Sequence, residues 1–323
     1  MGDPVICPLT FDDVDDALRL STVVGWNQRR DDWRMLLRLA PAGAFAALLD
    51  ARIVGTAIGI DYGGFAWIAM MLVDPAYRGR GLGRRLLEAA MAAVPSNLPI
   101  RLDATPLGRP LYQQYGFDDE ATLGRHVIDH ARLADQPAAR RPPSPSALGP
   151  LTAADLAVVI EQDREIFGGA RSGVLEWAFH DAPHYAHLAR NDDGVIDYCL
   201  GRPGRLFDQI GPVVAGDDDT AHALVRAALA AAGDRPVVVD AFDPATGSAS
   251  CGDSSSVFAA ALRDEGFVVQ RPLVRMCRRP GACTDRDAYP TRSRNAPAYV
   301  TNALESRPRR RAKEFAIFGP EFA

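Results

Sequence analysis

Residues 73–91, VDPAYRGRGLGRRLLEAAM, decide how this chain is read, because Gly79, Gly81 and Gly83 fall within five positions directly ahead of a strongly helical run. Glycine inside a helix costs roughly 0.5–1 kcal/mol relative to alanine, so glycines retained here need a reason. A strand ending at Val73-Asp74, then RGRGLG, then a helix would gather several backbone N–H groups at the positive end of the helix dipole. Without side chains at the three glycines an anion can approach those amides, and Arg78, Arg80, Arg84 and Arg85 surround it with positive charge. Such a cradle suits a pyrophosphate. A Rossmann fingerprint needs its glycines early in a βαβ unit with an acidic residue about 20 positions on, and a Walker motif needs Gly-Lys-Ser/Thr. Neither is present.

Outward from the cradle, AFAALLDARIVGTAIGIDYGGFAWIAMMLVD reads as three successive strands with turns at Asp50-Ala51 and Gly63-Gly64, an antiparallel meander. Helices are predicted near residues 12–24 and 31–39, with Asp31 at an N-terminus, and over about 81–94. PIRLDA, residues 99–104, reads as a buried strand, residues 108–114 as a short helix, and residues 117–130 as further strand. The expected class is α/β with a mixed, mostly antiparallel central sheet flanked by helices.

DQPAARRPPSPSALGP, residues 135–150, is proline-rich and reads as an interdomain linker. Beyond it the same order returns. VIDYCLG (195–201) corresponds to VGTAIG (54–59), LFDQIGPVVA (206–215) to FAWIAMMLVD (65–74), and PVVVDA (236–241) to PIRLDA (99–104). EGFVVQRPLVR and YGFDDEATLGR share a Gly-Phe pair and an arginine nine residues after the glycine. A duplication at this spacing gives two like domains, 1–134 and 151–285, with an extension at 286–323. DPATGSASCGDSSS, before Gly266, reads as an inserted small-residue loop. EFAIFGPEF, residues 314–322, is apolar enough to dock as an extended piece against one domain.

Arg78-x-x-Gly81-x-Gly83, placed after the last strand of the meander, resembles the acetyl-coenzyme A signature of the GNAT N-acetyltransferase superfamily. LYQQYGF, residues 111–117, resembles that superfamily's final helix-to-strand motif, and the resemblance covers residues 1 to about 131. It implies direct acetyl transfer from coenzyme A to the amine of a small molecule. Arg78, Gly79, Arg80, Gly81, Leu82, Gly83 and Arg84 would hold the pyrophosphate, and the strand edge Met71, Leu72 and Val73 would pair with the pantetheine. Tyr112, four residues before Gly116, would protonate the leaving thiolate; the alternative is a half-buried aromatic that packs the last helix, a part that Tyr115 in the same short segment could also play.

The resemblance implies that Asp103, at the end of the PIRLDA strand, borders a cleft where that superfamily's fourth and fifth strands splay apart, so that it either takes the amine's proton or holds a cationic acceptor, or else it caps the helix that follows. Asp61 is a weaker candidate base. GWNQRRDDW, residues 25–33, would wall the acceptor pocket, with Trp26 as a flat apolar surface, Asn27 as a polar contact and Arg29 or Arg30 for a carboxylate. Trp26 as a core residue fits the same stretch.

In the second half AGDDDTAHAL, residues 215–224, replaces the cradle with Asp217, Asp218 and Asp219, which favour a helix N-terminus but repel a diphosphate. Leu262 stands where the tyrosine would be. The whole is similar to bacterial tandem GNAT proteins with an active first half and a degenerate second, which covers a face of the catalytic half and supplies part of the acceptor wall. The competing expectation is a non-enzymatic acyl-coenzyme A sensor.

The 323 residues are 47% hydrophobic and 24% charged with net charge −5, a balance that opposes generic nucleic-acid binding. The basic run RPRRR, residues 307–311, reads as a solvated tail segment. No apolar run approaches the roughly 18–20 residues of a membrane span, and MGDPVICPLTFDD is no leader, so a cytoplasmic protein without a membrane partner is expected. Five cysteines without CxxC spacing indicate neither disulfides nor a structural metal, and HDAPHYAH, with His180, His184 and His187, lacks carboxylate or cysteine partners. No metal is expected, and a monomer or homodimer is.

Overall fold

A computed structural model describes residues 3–129, 148–190, 196–243, 253–281 and 313–317. The run at 307–311, Cys251, Cys283, Phe318, Phe322 and linker residues 135–147 lie outside them.

The first lobe runs β1 (Val5–Pro8), α1 (Val14–Val23), α2 (Arg30–Leu39), β2 (Ala44–Leu49), β3 (Arg52–Asp61), β4 (Ala66–Val73), α3 (Leu82–Ala92), β5 (Ile100–Ala104), α4 (Arg109–Gln113) and β6 (Asp118–Ile128). The second repeats the order as β7 (Leu148–Pro150), α5 (Ala153–Phe167), α6 (Ser172–Asp181), β8 (His187–Arg190), β9 (Ile196–Arg202), β10 (Asp208–Ala215), α7 (Asp218–Ala230), β11 (Val237–Phe242), α8 (Asp253–Asp264) and β12 (Val268–Arg278). A final strand, β13 (Lys313–Ile317), has no counterpart in the first lobe.

Local chemistry accounts for most boundaries. Asp50 and Ala51 both take positive φ, the geometry of a two-residue hairpin turn whose twist suits the flanking strands. The N-terminus of α2 lies before Asp31: the Arg29 backbone N–H donates to Asp32 Oδ2 at 2.7 Å, which ties the N-cap residue to the first turn and leaves Asp31 within that turn. β1 is a strand that its short sequence does not announce. Two expectations are corrected. Residues 148–150, read as linker, pair antiparallel with β8. The end of the small-residue insertion, from Asp253, already belongs to α8.

All described strands form one sheet, in the order β1-β2-β3-β4-β5-β12-β6-β11-β13-β10-β9-β8-β7. The domain limits read from the sequence follow the chain, but the hydrogen bonding does not. β12 of the second lobe lies between β5 and β6 of the first, and β6 pairs with β11 of the second. The related segments YGFDDEATLGR and EGFVVQRPLVR therefore run side by side at the centre of the molecule.

The duplicated arginine and aspartate show why this exchange is stable. Arg275 of β12 grips Asp103 of β5 with two bonds of 3.0 and 3.1 Å, and Arg125 of β6 grips Asp240 of β11 at 2.7 and 2.6 Å. Each lobe's arginine thus neutralises the other lobe's buried aspartate. Charges removed from water persist only when paired and fully hydrogen-bonded, so both bridges lock the register of the seam.

Helices cover both faces. On one, α1, α2, α5 and α6 share a core containing Leu20, Trp33, Leu36, Trp67, Val159 and Leu175. On the other, α3 packs Leu82, Leu86 and Leu87 against Ala57, Ile68 and Leu102, while α7 and α8 pack Leu224, Val225, Phe258 and Leu262 against Val213 and Val239. Among the described residues no helix is long and apolar enough to cross a membrane.

Candidate active site

β4 and β5 are hydrogen-bonded only at Ala66/Ile100 and Trp67/Arg101. Beyond that they part, and a cleft of about 680 Å³ opens between them. The cause is a bulge in β4: the register against β3 shifts by one residue, and Met70 takes φ +52°, a strained value for a non-glycine residue. Such strain amounts to about 1–3 kcal/mol. Buried Thr56 holds it in place by donating its hydroxyl to the Met70 carbonyl at 2.8 Å. Met71, Leu72 and Val73, just past the bulge, line the cleft.

The glycine loop forms the cleft's end at the α3 N-terminus. Gly79 and Gly81 both adopt φ +76°, and a Cβ on either would meet no atom within 4 Å. They are required by the backbone, and the space before them stays open. The helical cost raised by the sequence falls on neither, because α3 begins at Leu82 with Gly81 as its N-cap. Gly83 alone lies in the first turn, where a Cβ would make ordinary contact with Leu111 at 3.5 Å. No side chain caps the helix. Arg78 donates its Nε to the Val73 carbonyl at 3.1 Å, Arg80 lies over the Tyr77 ring, Arg84 reaches Gln114 Oε1, and Arg85 is exposed.

Tyr112 lines the same cleft, its ring edge-on to Phe117 at 5.9 Å and directly over Gly108, where a Cβ would come within 3.1 Å of it. Burial pushes its phenol well above its ordinary value, and among the described residues its hydroxyl makes no hydrogen bond. Tyr115 is the packing tyrosine: its hydroxyl donates to Glu88 at 2.5 Å and its carbonyl accepts from Arg278.

The other expected site residues separate. Trp26 and Asp103 line the cleft, but both Asp103 oxygens are held by Arg275, so it serves as a seam latch and neither as a free base nor as a helix cap. Asn27 and Arg30 are not in the lining. Asn27 is a tie between lobes: its Nδ2 donates to the Phe207 carbonyl at 2.9 Å, and its Oδ1 accepts from Leu206 and Phe207 N–H at 2.8 and 3.2 Å. Arg30 pairs with Asp15, and Arg29 with Asp181. Asp61 accepts from Gly63 N–H in an exposed turn. The sequence reading missed Arg271, which the strand exchange carries from β12 into the cleft wall.

The two hydrophobic cores show that the cleft passes through the sheet. The glycine loop and Tyr112 belong to the α3 and α4 face. Trp26 packs with the α1 and α2 core, and Leu273 lies there too, with Arg275 stacked on Trp67. Arg271, two and four residues before these on an unbroken stretch of strand, points to that same face.

The second lobe closes the equivalent gap. β10 and β11 pair at Asp208–Ile210 with Val237–Val239 and then part, but β13 fills the opening, antiparallel to both. Fully buried Arg171 fastens it through Glu314 at 2.9 Å. Pro212 stands where the first lobe has Met71, and proline has no N–H to offer. Asp217 caps α7 by accepting from Thr220 N–H at 2.8 Å, so a carboxylate already occupies that helix terminus.

Beside that terminus, burial and the Asp217 charge push the Asp197 carboxyl up to about 6, against a bond from Gly216 N–H. A raised carboxyl destabilises the fold once ionised. Asp197→Asn, which keeps the acceptor and loses the charge, is expected to stabilise the protein by ~1–2 kcal/mol at pH 8. The gain should shrink as pH falls through 6 and vanish below the unfolded value of 3.8, as read by urea melts across a pH series.

Residues 41–119 match a family model described as an acetyltransferase (GNAT) domain, and residues 159–287 match a second with the same description. The uncharacterized N-acetyltransferase YitH of Bacillus subtilis is 31% identical over 186 residues, 55% of this chain and 61% of that protein; the chain thus spans less than two thirds of it. Holothin acyltransferase of Pseudoalteromonas sp. is 23% identical over 206 residues, 64% of this chain and 67% of that one. In fold, a putative acetyltransferase from Pyrococcus horikoshii matches at TM-score 0.65 and 23% identity, over 89% of this chain and 93% of its own. A tandem GNAT protein from the clavulanic acid biosynthesis pathway matches at TM-score 0.56 and 16% identity, over 86% and 99%. With the two models covering both lobes between them, the chain belongs to the GNAT acetyltransferase family, as two GNAT domains in tandem.

Proposed function

We propose that the protein transfers an acetyl group from acetyl-coenzyme A to the amine of a small molecule, in the first lobe only. The observation that carries this reading is one cleft joining an uncapped, glycine-lined helix N-terminus to a buried tyrosine whose hydroxyl is free. Backbone amides of residues 79–84, with the surrounding arginines, bind the diphosphate. The edge of β4 from Met71 to Val73 pairs with the pantetheine as an added strand would. β13 is a precedent within the chain, since a peptide strand occupies the matching gap of the second lobe. The neutral amine attacks the thioester carbonyl carbon, the C–S bond breaks, and Tyr112 gives its proton to the departing thiolate. The ammonium proton of the adduct leaves to solvent, and solvent returns a proton to the Tyr112 phenolate.

Calorimetric titration with coenzyme A tests the binding half of this reading, with one site per chain expected. Gly81→Val should weaken binding by about tenfold or more, because a β-branched residue resists φ +76° and its side chain enters the cradle. Two sites per chain, or none, would overturn the assignment. Release of free thiol across amino acids, amino sugars, polyamines, aminoglycosides and peptide N-termini then reads the transfer itself.

A further inference from the structure

Arg271 is the one residue of the second lobe among the described residues that line the cleft. Its Nε is buried without a hydrogen-bond partner, and no ion pair joins it to any described carboxylate. The acids near it are engaged. Asp240 is gripped by Arg125 and also accepts from Gln209 Nε2 at 2.9 Å, and Asp103 is gripped by Arg275. Burial first, then the neighbouring Arg125 charge, pushes the Arg271 guanidinium down to about 10, which still leaves it a cation at neutral pH. A half-enclosed cation beside an open cavity, with no carboxylate among the described residues paired to it, is a binding group for an anion.

Its place in the fold says which anion. The diphosphate cradle opens on the α3 face, whereas Arg271 sits with Trp26 on the α1 and α2 face, where the acceptor must enter if coenzyme A comes from the other side. We propose that Arg271 binds a carboxylate of the acceptor, so that the preferred substrates are amines carrying a carboxylate, such as free amino acids, and the second lobe selects them. This rests on the acetyltransferase reading for the identity of the ligand as an acceptor. Trp26, in the lining of the same cleft, supplies a flat apolar surface, and the fork geometry of arginine suits two-point contact with a planar carboxylate.

The test compares amino acids with their carboxamides in thiol release by the full-length protein. Wild type is expected to prefer the acids by about tenfold or more in kcat/KM. Arg271→Gln should remove that preference through a 10–100-fold rise in KM for the acids, leaving the amides and the KM for acetyl-coenzyme A unchanged, and Arg271→Lys should restore part of it. Equal turnover of acids and amides by wild type, or equal losses for both in Arg271→Gln, would overturn the proposal. Calorimetry of the same acids with protein saturated in coenzyme A gives a readout without turnover. Binding lost in Arg271→Gln supports the carboxylate site even if no thiol is released, in which case the transferase reading alone fails. No binding by wild type, whether or not thiol is released, overturns the carboxylate site.

Discussion

Replacing Tyr112 by phenylalanine is expected to lower kcat by about 10²–10³-fold while coenzyme A affinity stays within about threefold. The ring remains to pack over Gly108 and against Phe117, so only the proton is lost. Burial keeps that proton on the oxygen across the neutral and mildly alkaline range, so Tyr112 imposes no alkaline fall in rate there. Tyr115→Phe is the control: it removes the bond to Glu88 and is expected to act on stability, by about 1 kcal/mol, with little effect on kcat. Unchanged thioester turnover in Tyr112→Phe would remove the proton donor from the proposed mechanism.

The largest effect on stability is expected at the seam. Arg275→Met leaves Asp103 buried without its cation and should cost about 3–5 kcal/mol, measured by urea denaturation. An unpaired buried carboxylate is raised further, so the loss should be greatest at alkaline pH and ease as Asp103 becomes protonated. Asp103→Leu combined with Arg275→Met removes both charges and should recover most of the loss. Because β12 and β6 each complete the other lobe's sheet, both lobes are expected to unfold in one transition. Two separate transitions, or an Arg275→Met variant as stable as wild type, would contradict the latch.

Much of this was legible in order along the chain. Turn chemistry at Asp50-Ala51, alternation in the meander, and glycines ahead of a helix are signals carried by neighbouring residues, and each fixes a local conformation. The duplication was equally visible, and so was the loss of the cradle in the second copy, since three aspartates at a helix terminus act wherever that helix packs. The sequence even displayed both members of the seam bridges, the aspartates of PIRLDA and PVVVDA and the arginines nine residues past each glycine. What it did not display was their crossing.

Asp103 read as a base because its partner is 172 residues away, and Asn27 read as an acceptor contact because Phe207 is 180 away. By itself, then, the sequence determined two GNAT-like lobes, one cradle and one blank helix terminus, all properties of short-range conformation and charge. Only the tertiary structure decided that β12 and β6 change places, that Arg271 enters the first lobe's cleft, and that β13 fills the second lobe's gap. Those outcomes depend on which strand edges and buried charges find each other across the folded chain, an energy no local window contains.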